Sequence, residues 1–137
     1  MKVVLDTNVV VSGLLARHGV CAEIIDRMRT GAFQLCVNGW ILAEYDEVLT
    51  RAELAVPAGP RSDFLDFVRH RAERVEAALL AAALPDESDR PFLEVALAAD
   101  AVLVTGNLRH FPAKASKGTK VVRPAEFLEL LRRTAKH

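Results

Sequence analysis

Three acidic residues, Asp6, Glu44 and Asp89, stand where their carboxylates could take part in binding or catalysis. Asp6 ends the apolar run in VVLDTN, which is typical of a strand buried on both faces. In open α/β sheets the ligand crevice lies beyond the carboxyl ends of such strands, so Asp6 is a candidate site residue. The alternative is that Asp6, Thr7 or Asn8 only caps the next helix, because all three residue types are good N-caps.

Glu44 lies within the helix predicted over residues 39–50. At about 100° per residue, the apolar stripe of this helix contains Ile41, Tyr45 and Leu49, and Glu44 falls on the shoulder of that stripe. A carboxylate that leans toward the core is costly unless it is paired, hydrogen-bonded or bound to a metal ion. Glu44 is therefore either a site residue or a glutamate at the stripe edge whose carboxylate reaches water.

Asp89 opens a helix that is predicted to begin in the stretch PDESDRP and to run to about residue 99. It falls on the same side of this helix as Phe92, which belongs to the inward face. Pro91 fits the first turn, so helix capping by Ser88 or Asp89 is the competing interpretation.

Polar residues follow a second strand as well. The run AVLV at residues 101–104 is followed directly by Thr105 and, two residues later, by Asn107. Carboxyl ends of parallel strands lie at one edge of a sheet, so we expect one crevice to hold Asp6, Glu44, Asp89 and Asn107. Clustered carboxylates repel one another unless a cation compensates them, and hard oxygen ligands select Mg²⁺ or Mn²⁺.

The elements that must position these residues alternate between strand and helix. The predicted strands cover residues 2–6, 33–37, 101–104 and 120–122. The remaining predicted helices cover residues 8–16, 20–30 and 124–134, and a helical hairpin or bent helix is expected over 62–83, after a loop rich in Pro and Gly at 55–60. Strands separated by helices imply parallel pairing through right-handed crossovers, and hence an α/β fold, a three-layer α/β/α sandwich with a central parallel sheet.

Length and composition limit the class of protein. The 137 residues fit one domain, 1–137, and no repeat or boundary interrupts them. Lys and Arg together number 18, as do Asp and Glu, so any nucleic-acid binding must use a local basic patch. Cys21 and Cys36 stand in apolar surroundings and are expected to be reduced thiols, not zinc ligands. No targeting segment or membrane-length apolar run is present, so we expect a cytoplasmic protein with no membrane partner.

Three stretches match a known family in order and separation: VVLDTNVVVSGLL at 3–15, ILAEYDEVL at 41–49, and SDRPFLEVALAADAVLVTGNLRHF at 88–111. On these stretches the chain resembles the PIN-domain ribonucleases, and in particular the VapC-like toxin components of toxin-antitoxin systems. The resemblance covers nearly the whole chain. It implies a PIN-like α/β/α sandwich in which an acid cluster at the carboxyl edge of the sheet holds one or two divalent ions.

Position by position, the resemblance makes Asp6 the first family acid, Glu44 the second and Asp89 the third. The fourth position is usually an aspartate after Thr-Gly, and here it is Asn107. An amide oxygen still ligates a cation but brings no charge, so we expect any second ion to be held more weakly.

The activity that the resemblance implies is metal-dependent hydrolysis of RNA by an endoribonuclease, the toxin of a VapBC-type pair. Asp6 and Asp89 would coordinate Mg²⁺ or Mn²⁺, and Glu44 would ligate the metal or orient the attacking water. The candidate substrate contacts are Thr7, Asn8, Thr105 and Arg109. The implied partners are the RNA substrate, a cognate antitoxin and a second copy of the chain in a homodimer.

Two other functions remain open from the sequence. Asn107 suits a catalytically weakened PIN-like module that only binds RNA or protein. A phosphatase with an aspartyl nucleophile at Asp6 fits less well, because the haloacid-dehalogenase pattern asks for a second acid two residues on, where Asn8 stands.

Overall fold

Short apolar runs form the strands of the central sheet. The computed structural model describes residues 1–80 and 83–135, and within them the strands are β1 Lys2–Leu5, β2 Gln34–Val37, β3 Glu73–Arg74, β4 Val102–Val104 and β5 Val121–Val122. They form one five-stranded sheet in the order β3-β2-β1-β4-β5, and every pair is parallel. All carboxyl ends of the strands therefore lie along one edge.

Helices connect the strands and cover the sheet. They are α1 Thr7–Leu15, α2 Val20–Arg29, α3 Gly39–Leu49, α4 Ala58–Arg71, α5 Arg90–Ala99, α6 Ala113–Ser116 and α7 Pro124–Ala135. Short 3-10 turns lie at Ala52–Leu54, Glu87–Asp89 and Leu108–His110. Helix α5 packs against β1, β2 and β4, whereas α2 packs against α1 and α7. The predicted α/β/α sandwich with a central parallel sheet is confirmed.

The core fixes the end of β1, where the candidate site begins. Val3, Val4 and Leu5 are fully buried, as expected for a strand covered on both faces. The buried Tyr45 hydroxyl donates a hydrogen bond to the Leu5 carbonyl oxygen at 2.5 Å. The Tyr45 ring also packs edge-on against Phe64, with ring centroids 5.5 Å apart. Tyr45 thus ties α3 to the last residue of β1, and its chain neighbour Glu44 is held near that strand end.

Helices α1 and α2 approach closely at Gly13. A Cβ atom built at this position would lie 2.6 Å from Ile25 Cγ1 and 2.7 Å from the Cys21 carbonyl oxygen. The second of these atoms belongs to the backbone and cannot move aside as a flexible side-chain end can. Glycine is therefore required here by space, and it sets the spacing of the first two helices.

The prediction of a helical hairpin or bent helix over residues 62–83 is wrong in its second half. Helix α4 ends at Arg71, strand β3 follows, and residues 75–80 contain no helix; residues 81 and 82 lie outside the described part. The Val75 amide donates to the Val37 carbonyl oxygen at 2.9 Å, so the chain extends alongside β2. The pairing of residues 73–75 with β2 overrides the helix preference of this part of the chain, which is only weak.

A second anchor holds the same segment in its extended path. The Leu80 amide donates to Glu94 Oε2 at 2.5 Å, and the Arg90 guanidinium donates to the Leu80 carbonyl oxygen. Glu94 is buried in helix α5, so this bond satisfies a carboxylate that would otherwise be costly.

Among the described residues, no single helix is long and apolar enough to cross a membrane. Helices α1 and α2 would reach that length and apolarity together, but they are bent by 97° at their junction.

Candidate metal centre

Asp6 is presented by the end of β1 at the centre of the sheet edge. Its backbone occupies the N-cap position of α1, but its side chain makes no capping hydrogen bond. Instead Asp6 Oδ2 accepts a hydrogen bond from Thr105 Oγ1 at 2.7 Å. The side chain is 6% exposed, and burial raises the pKa of its carboxyl, while the bond from Thr105 acts in the opposite direction. Asp6 is thus turned toward the crevice and held there by the neighbouring strand β4.

Thr105 is fully buried, and its hydroxyl links two parts of the edge. Besides donating to Asp6, Thr105 Oγ1 accepts from the Asn107 backbone amide at 3.0 Å. Asn107 Nδ2 lies 2.9 Å from His110 Nε2, which leaves the Asn107 amide oxygen available as a ligand. Thr105 therefore positions Asp6, and the loop after β4 positions Asn107.

Glu44 reaches the same edge from α3. This helix is capped by Asn38, whose Oδ1 accepts from the Ile41 amide at 2.8 Å. Glu44 is half-buried, and its Oε2 accepts from Thr7 Oγ1 at 2.6 Å. Burial raises the pKa of the Glu44 carboxyl, the Thr7 bond opposes this, and the charge of Asp6 adds to the increase. Glu44 therefore does not simply extend into water from the edge of the apolar stripe.

Asp89 lies where a 3-10 turn passes into α5. The turn is capped by Asp86, whose Oδ1 accepts from the Ser88 amide at 3.0 Å, and Asp89 makes no capping bond. Asp89 is 8% exposed, and the pKa of its carboxyl is raised to about 6, first by burial and then by the charge of Asp6. The carboxylate is therefore close enough to Asp6 for the two charges to repel each other.

One oxygen of Asp89 lacks a hydrogen bond. Asp89 Oδ2 lies 2.8 Å from His110 Nδ1, yet within residues 1–80 and 83–135 it has no donor in suitable geometry. His110 is close enough to lower the pKa of the Asp89 carboxyl, but a buried carboxylate oxygen without a well-aligned donor is unusual because the cost of removing it from water is not fully repaid. This oxygen fits a site that is completed by a cation.

Asp86 and His110 form a tight set with Asp89. In the described part of the chain, these three residues offer ligand atoms that all lie within 4.8 Å of one another. Asp6 and Glu44 are not members of that set, although the charge of Asp6 raises the pKa of both Glu44 and Asp89. Sequence reasoning did not include Asp86 or His110 among the ligands. The sequence holds two signals that could have pointed to these ligands. Asp86 lies three residues before Asp89, and His110 lies three residues after Asn107.

The remaining candidate contacts surround the acids. Thr7 is buried and bonded to Glu44 as described, and Asn8 Oδ1 accepts from the Gly106 amide at 3.2 Å. Arg109 is exposed on the 3-10 turn Leu108–His110, and no acidic side chain in the described residues forms an ion pair with it. Arg109 is thus an exposed cation next in the chain to His110, which contacts Asp89, and a guanidinium suits a phosphate.

The donor set fits a hard divalent cation. Asp6, Glu44 and Asp89 carry carboxylate oxygens and Asn107 carries an amide oxygen, and Mg²⁺ and Mn²⁺ accept ligands of both kinds. Burial is the first cause of the raised pKa of all three carboxyls, and repulsion by the charge of Asp6 adds to it at Glu44 and Asp89. A cation would relieve this repulsion and give the orphaned Asp89 oxygen a partner.

Comparisons with known proteins identify the family and the fold of this chain. The PIN domain family model matches residues 2–109. Similar solved structures include VapBC-1 from nontypeable Haemophilus influenzae, with a TM-score of 0.60 and 16% identity over 91% of this chain and 99% of that chain. VapBC2 from Rickettsia felis, bound to a DNA fragment from their promoter, has a TM-score of 0.56 and 16% identity over 90% of this chain and 98% of that chain.

FitAcB from Neisseria gonorrhoeae has a TM-score of 0.56 and 15% identity, again over 90% of this chain and 98% of that chain. A comparison with curated proteins finds no significant match. At such low identities the solved structures establish a shared fold, while the family model covers most of the sequence. The chain belongs to the PIN domain family.

Proposed function

We propose that this PIN domain is a metal-dependent endoribonuclease and the toxin of a VapBC-type toxin-antitoxin pair. The observation that carries the proposal is the buried Asp89 carboxylate, which has an oxygen without a hydrogen bond and a raised pKa beside Asp6. A bound cation would give this oxygen a partner, and perturbed carboxyls in a crevice are typical of active sites.

The proposed metal ligands are Asp6, Glu44, Asp89 and Asn107, and the metal is Mg²⁺ or Mn²⁺. A bound divalent ion would lower the pKa of a ligated water and offset the charge of the scissile phosphate. Asp6 and Asp89 hold the ion on two rigid elements, the end of β1 and the start of α5. Asn107 adds oxygen without charge, so its share in binding is weaker.

Glu44 is the proposed base. Its raised pKa favours proton acceptance near neutral pH, since a carboxylate with a higher pKa is a stronger base. The 2.6 Å bond from Thr7 fixes the direction of one carboxylate oxygen and leaves the other free to take a proton from water. Asp6, Glu44 and Asp89 are thus the proposed catalytic residues.

Substrate phosphate is bound by cationic and polar groups at the rim of the crevice. Arg109 is the proposed charged contact, and Thr7, Asn8 and Thr105 lie around the acids as further candidates. The geometry favours positioning roles for Thr7 and Thr105, because their hydroxyls already donate to Glu44 and Asp6. Arg109 is therefore the most direct phosphate ligand of the four.

The proposed partners follow from the fold and the family. The VapBC structures that share the fold support a cognate antitoxin as a partner, and we propose that it covers the acidic crevice. The resemblance to VapC-like proteins also supports a homodimer. An RNA substrate is consistent with action in the cytoplasm.

The experiment that tests the proposal combines metal dependence with matched substitutions. Purified protein is incubated with structured and unstructured RNA in Mn²⁺ and in EDTA, and Asp6→Asn is compared with the wild type. We expect cleavage in Mn²⁺ only, and its loss in Asp6→Asn. Cleavage that persists in EDTA or in the variant would exclude the metal mechanism.

A second pair of variants separates site effects from helix effects. Glu44→Gln should abolish cleavage, whereas Glu47→Gln, on the same helix and paired with Arg51 at 2.7 Å on the outer face, should not. No cleavage of any RNA, together with no Mn²⁺ binding by calorimetry, would instead favour a catalytically weakened RNA- or protein-binding module.

A further inference from the structure

We propose that Trp40 is a stacking platform for an unpaired nucleobase next to the scissile phosphate, so that the substrate is single-stranded RNA at this point. The inference rests on the proposed nuclease function and assigns a substrate subsite to the same sheet edge. Trp40, the single tryptophan of the chain, is 46% exposed although it is a large aromatic side chain. The core therefore leaves much of the indole uncovered.

The place of Trp40 on α3 brings it beside the metal centre. It lies in the first turn, four residues before Glu44, and side chains at this spacing are neighbours on one helix face, about 5–6 Å apart at Cβ. The indole is thus one helical turn from the proposed base. A nucleotide whose scissile phosphate lies at the proposed metal centre has a neighbouring base within reach of Trp40.

The indole is held in place by a second site-bearing helix. Trp40 and Phe92 make an edge-to-face contact, with centroids 6.4 Å apart and planes at 89°. Phe92 is fully buried in α5, three residues after Asp89. A contact of this kind occupies at most one face of the indole, so the other face remains open for stacking. A ring that is already oriented loses little entropy when a base stacks on it.

A polar cavity extends from Trp40 along the sheet edge. Its volume is about 330 Å³, and its lining includes Asn38, Trp40, Arg74 and Glu76. In the register of the sheet, Lys2 pairs with Gln34 on β2, so the strand ends at Asp6 and Asn38 lie side by side. Strands are about 4.8 Å apart, which places the cavity one to two strand spacings from the acids.

Charge in this cavity suits a nucleotide. Arg74 is exposed at the end of β3, and within the described ranges no acidic side chain forms an ion pair with it. Its guanidinium can bind a phosphate, while Glu76 can accept a hydrogen bond from an amino group of a base. An aromatic face beside a free cation is how proteins bind single strands, and it favours RNA here over an apolar protein segment.

The test uses the fluorescence of Trp40 itself, which no other tryptophan obscures. A short oligoadenylate is titrated into the protein in EDTA at low salt, so that cleavage cannot occur. Stacking predicts that the oligoadenylate quenches the emission and that an abasic oligonucleotide of the same length does not. Equal quenching by the abasic strand, or none by oligoadenylate, would overturn the inference.

Variants of Trp40 provide a second, independent test. Fluorescence anisotropy measures how tightly each variant binds a fluorescein-labelled oligoadenylate. Because Trp40→Ala removes the stacking of one base, we expect it to raise the Kd by about 5- to 100-fold. Trp40→Phe should retain most of the affinity. Leu79→Ala removes another exposed apolar side chain and should leave the Kd unchanged. Thermal unfolding of each variant shows whether a loss of affinity is due to misfolding. Trp40→Phe keeps an aromatic ring at this position, so it tests stacking even if Trp40→Ala does not fold.

The outcomes distinguish this inference from the proposed function. RNA cleavage in Mn²⁺ without quenching, and with wild-type affinity in Trp40→Ala, would refute the platform and leave the nuclease standing. Quenching without cleavage would support the platform and refute the nuclease. A fluorescence change that only an antitoxin protein produces would assign Trp40 to protein docking and overturn the inference.

Discussion

Asp89 is predicted to lower the stability of the metal-free protein at neutral pH. The pKa of its carboxyl is raised from 3.8 to about 6, mainly by burial and next by the charge of Asp6. At about 1.4 kcal/mol for each pKa unit, this difference of about 2 units corresponds to about 3 kcal/mol. Asp89→Asn keeps the shape of the side chain and removes its charge. Because the new amide also needs partners, we expect a gain of about 1–2 kcal/mol in the free energy of unfolding.

The effect has a defined pH dependence. A carboxyl with a raised pKa binds its proton more tightly in the folded protein than in the unfolded chain. The Asp89 contribution to the free energy of unfolding therefore falls as the pH rises from 3.8 to about 6, and it is constant above that range. The stabilising effect of Asp89→Asn should vanish below about pH 4 and be complete above about pH 6.

Urea unfolding in EDTA, followed by circular dichroism at a series of pH values, measures this difference. Asp63→Asn, at an exposed position of α4, is the control and should show no comparable pH-dependent gain. Added Mn²⁺ at about one hundred times its Kd should stabilise the wild type by about 2.7 kcal/mol, and Asp89→Asn much less. If Asp89→Asn is less stable than the wild type at neutral pH without metal, Asp89 is a structural partner of His110, and the reasoning is refuted.

Three further predictions concern the elements that position the acids. Gly13→Ala should destabilise the fold by about 1–3 kcal/mol, because its Cβ would lie 2.7 Å from a backbone oxygen; thermal unfolding checks this, and an unchanged Tm would contradict the packing of α1 on α2. Tyr45→Phe should cost about 1–3 kcal/mol in urea unfolding by leaving the buried Leu5 carbonyl oxygen without its donor, and a neutral result would show that water replaces it. Thr7→Val should lower the RNA cleavage rate by about tenfold with a small change in stability, because Glu44 loses the hydrogen bond that orients it. An unchanged rate would show that Thr7 does not position Glu44.

Much of the fold could be predicted from the sequence because its signals are local. The buried apolar run of β1 and the acid at its end needed only the rule for parallel strands, and the inward lean of Asp89 followed from helical periodicity. In the structure Asp89 is 8% exposed and makes no capping hydrogen bond, while Asp86 caps the 3-10 turn before α5. The choice between capping and site roles required the hydrogen bonds, which sequence does not show.

The features that sequence reasoning missed depend on distant contacts. Strand β3 has two residues, Glu73 and Arg74, with no apolar run, and it exists because β2 offers a free edge for backbone pairing. The described residues of the alanine-rich segment after it, 77–80, contain no helix although alanine favours one. His110 had no pattern of its own, and its place beside Asp89 arises from the turn that follows β4.

The most direct test of the metal centre is the position of Mn²⁺ in crystals of this protein, located by anomalous diffraction. We predict an ion bound to carboxylate oxygens of both Asp6 and Asp89 at about 2.0–2.6 Å, with Glu44 bound directly or through water. An ion held by Asp86 and His110 without Asp6, or no ion at this edge of the sheet, would contradict the account.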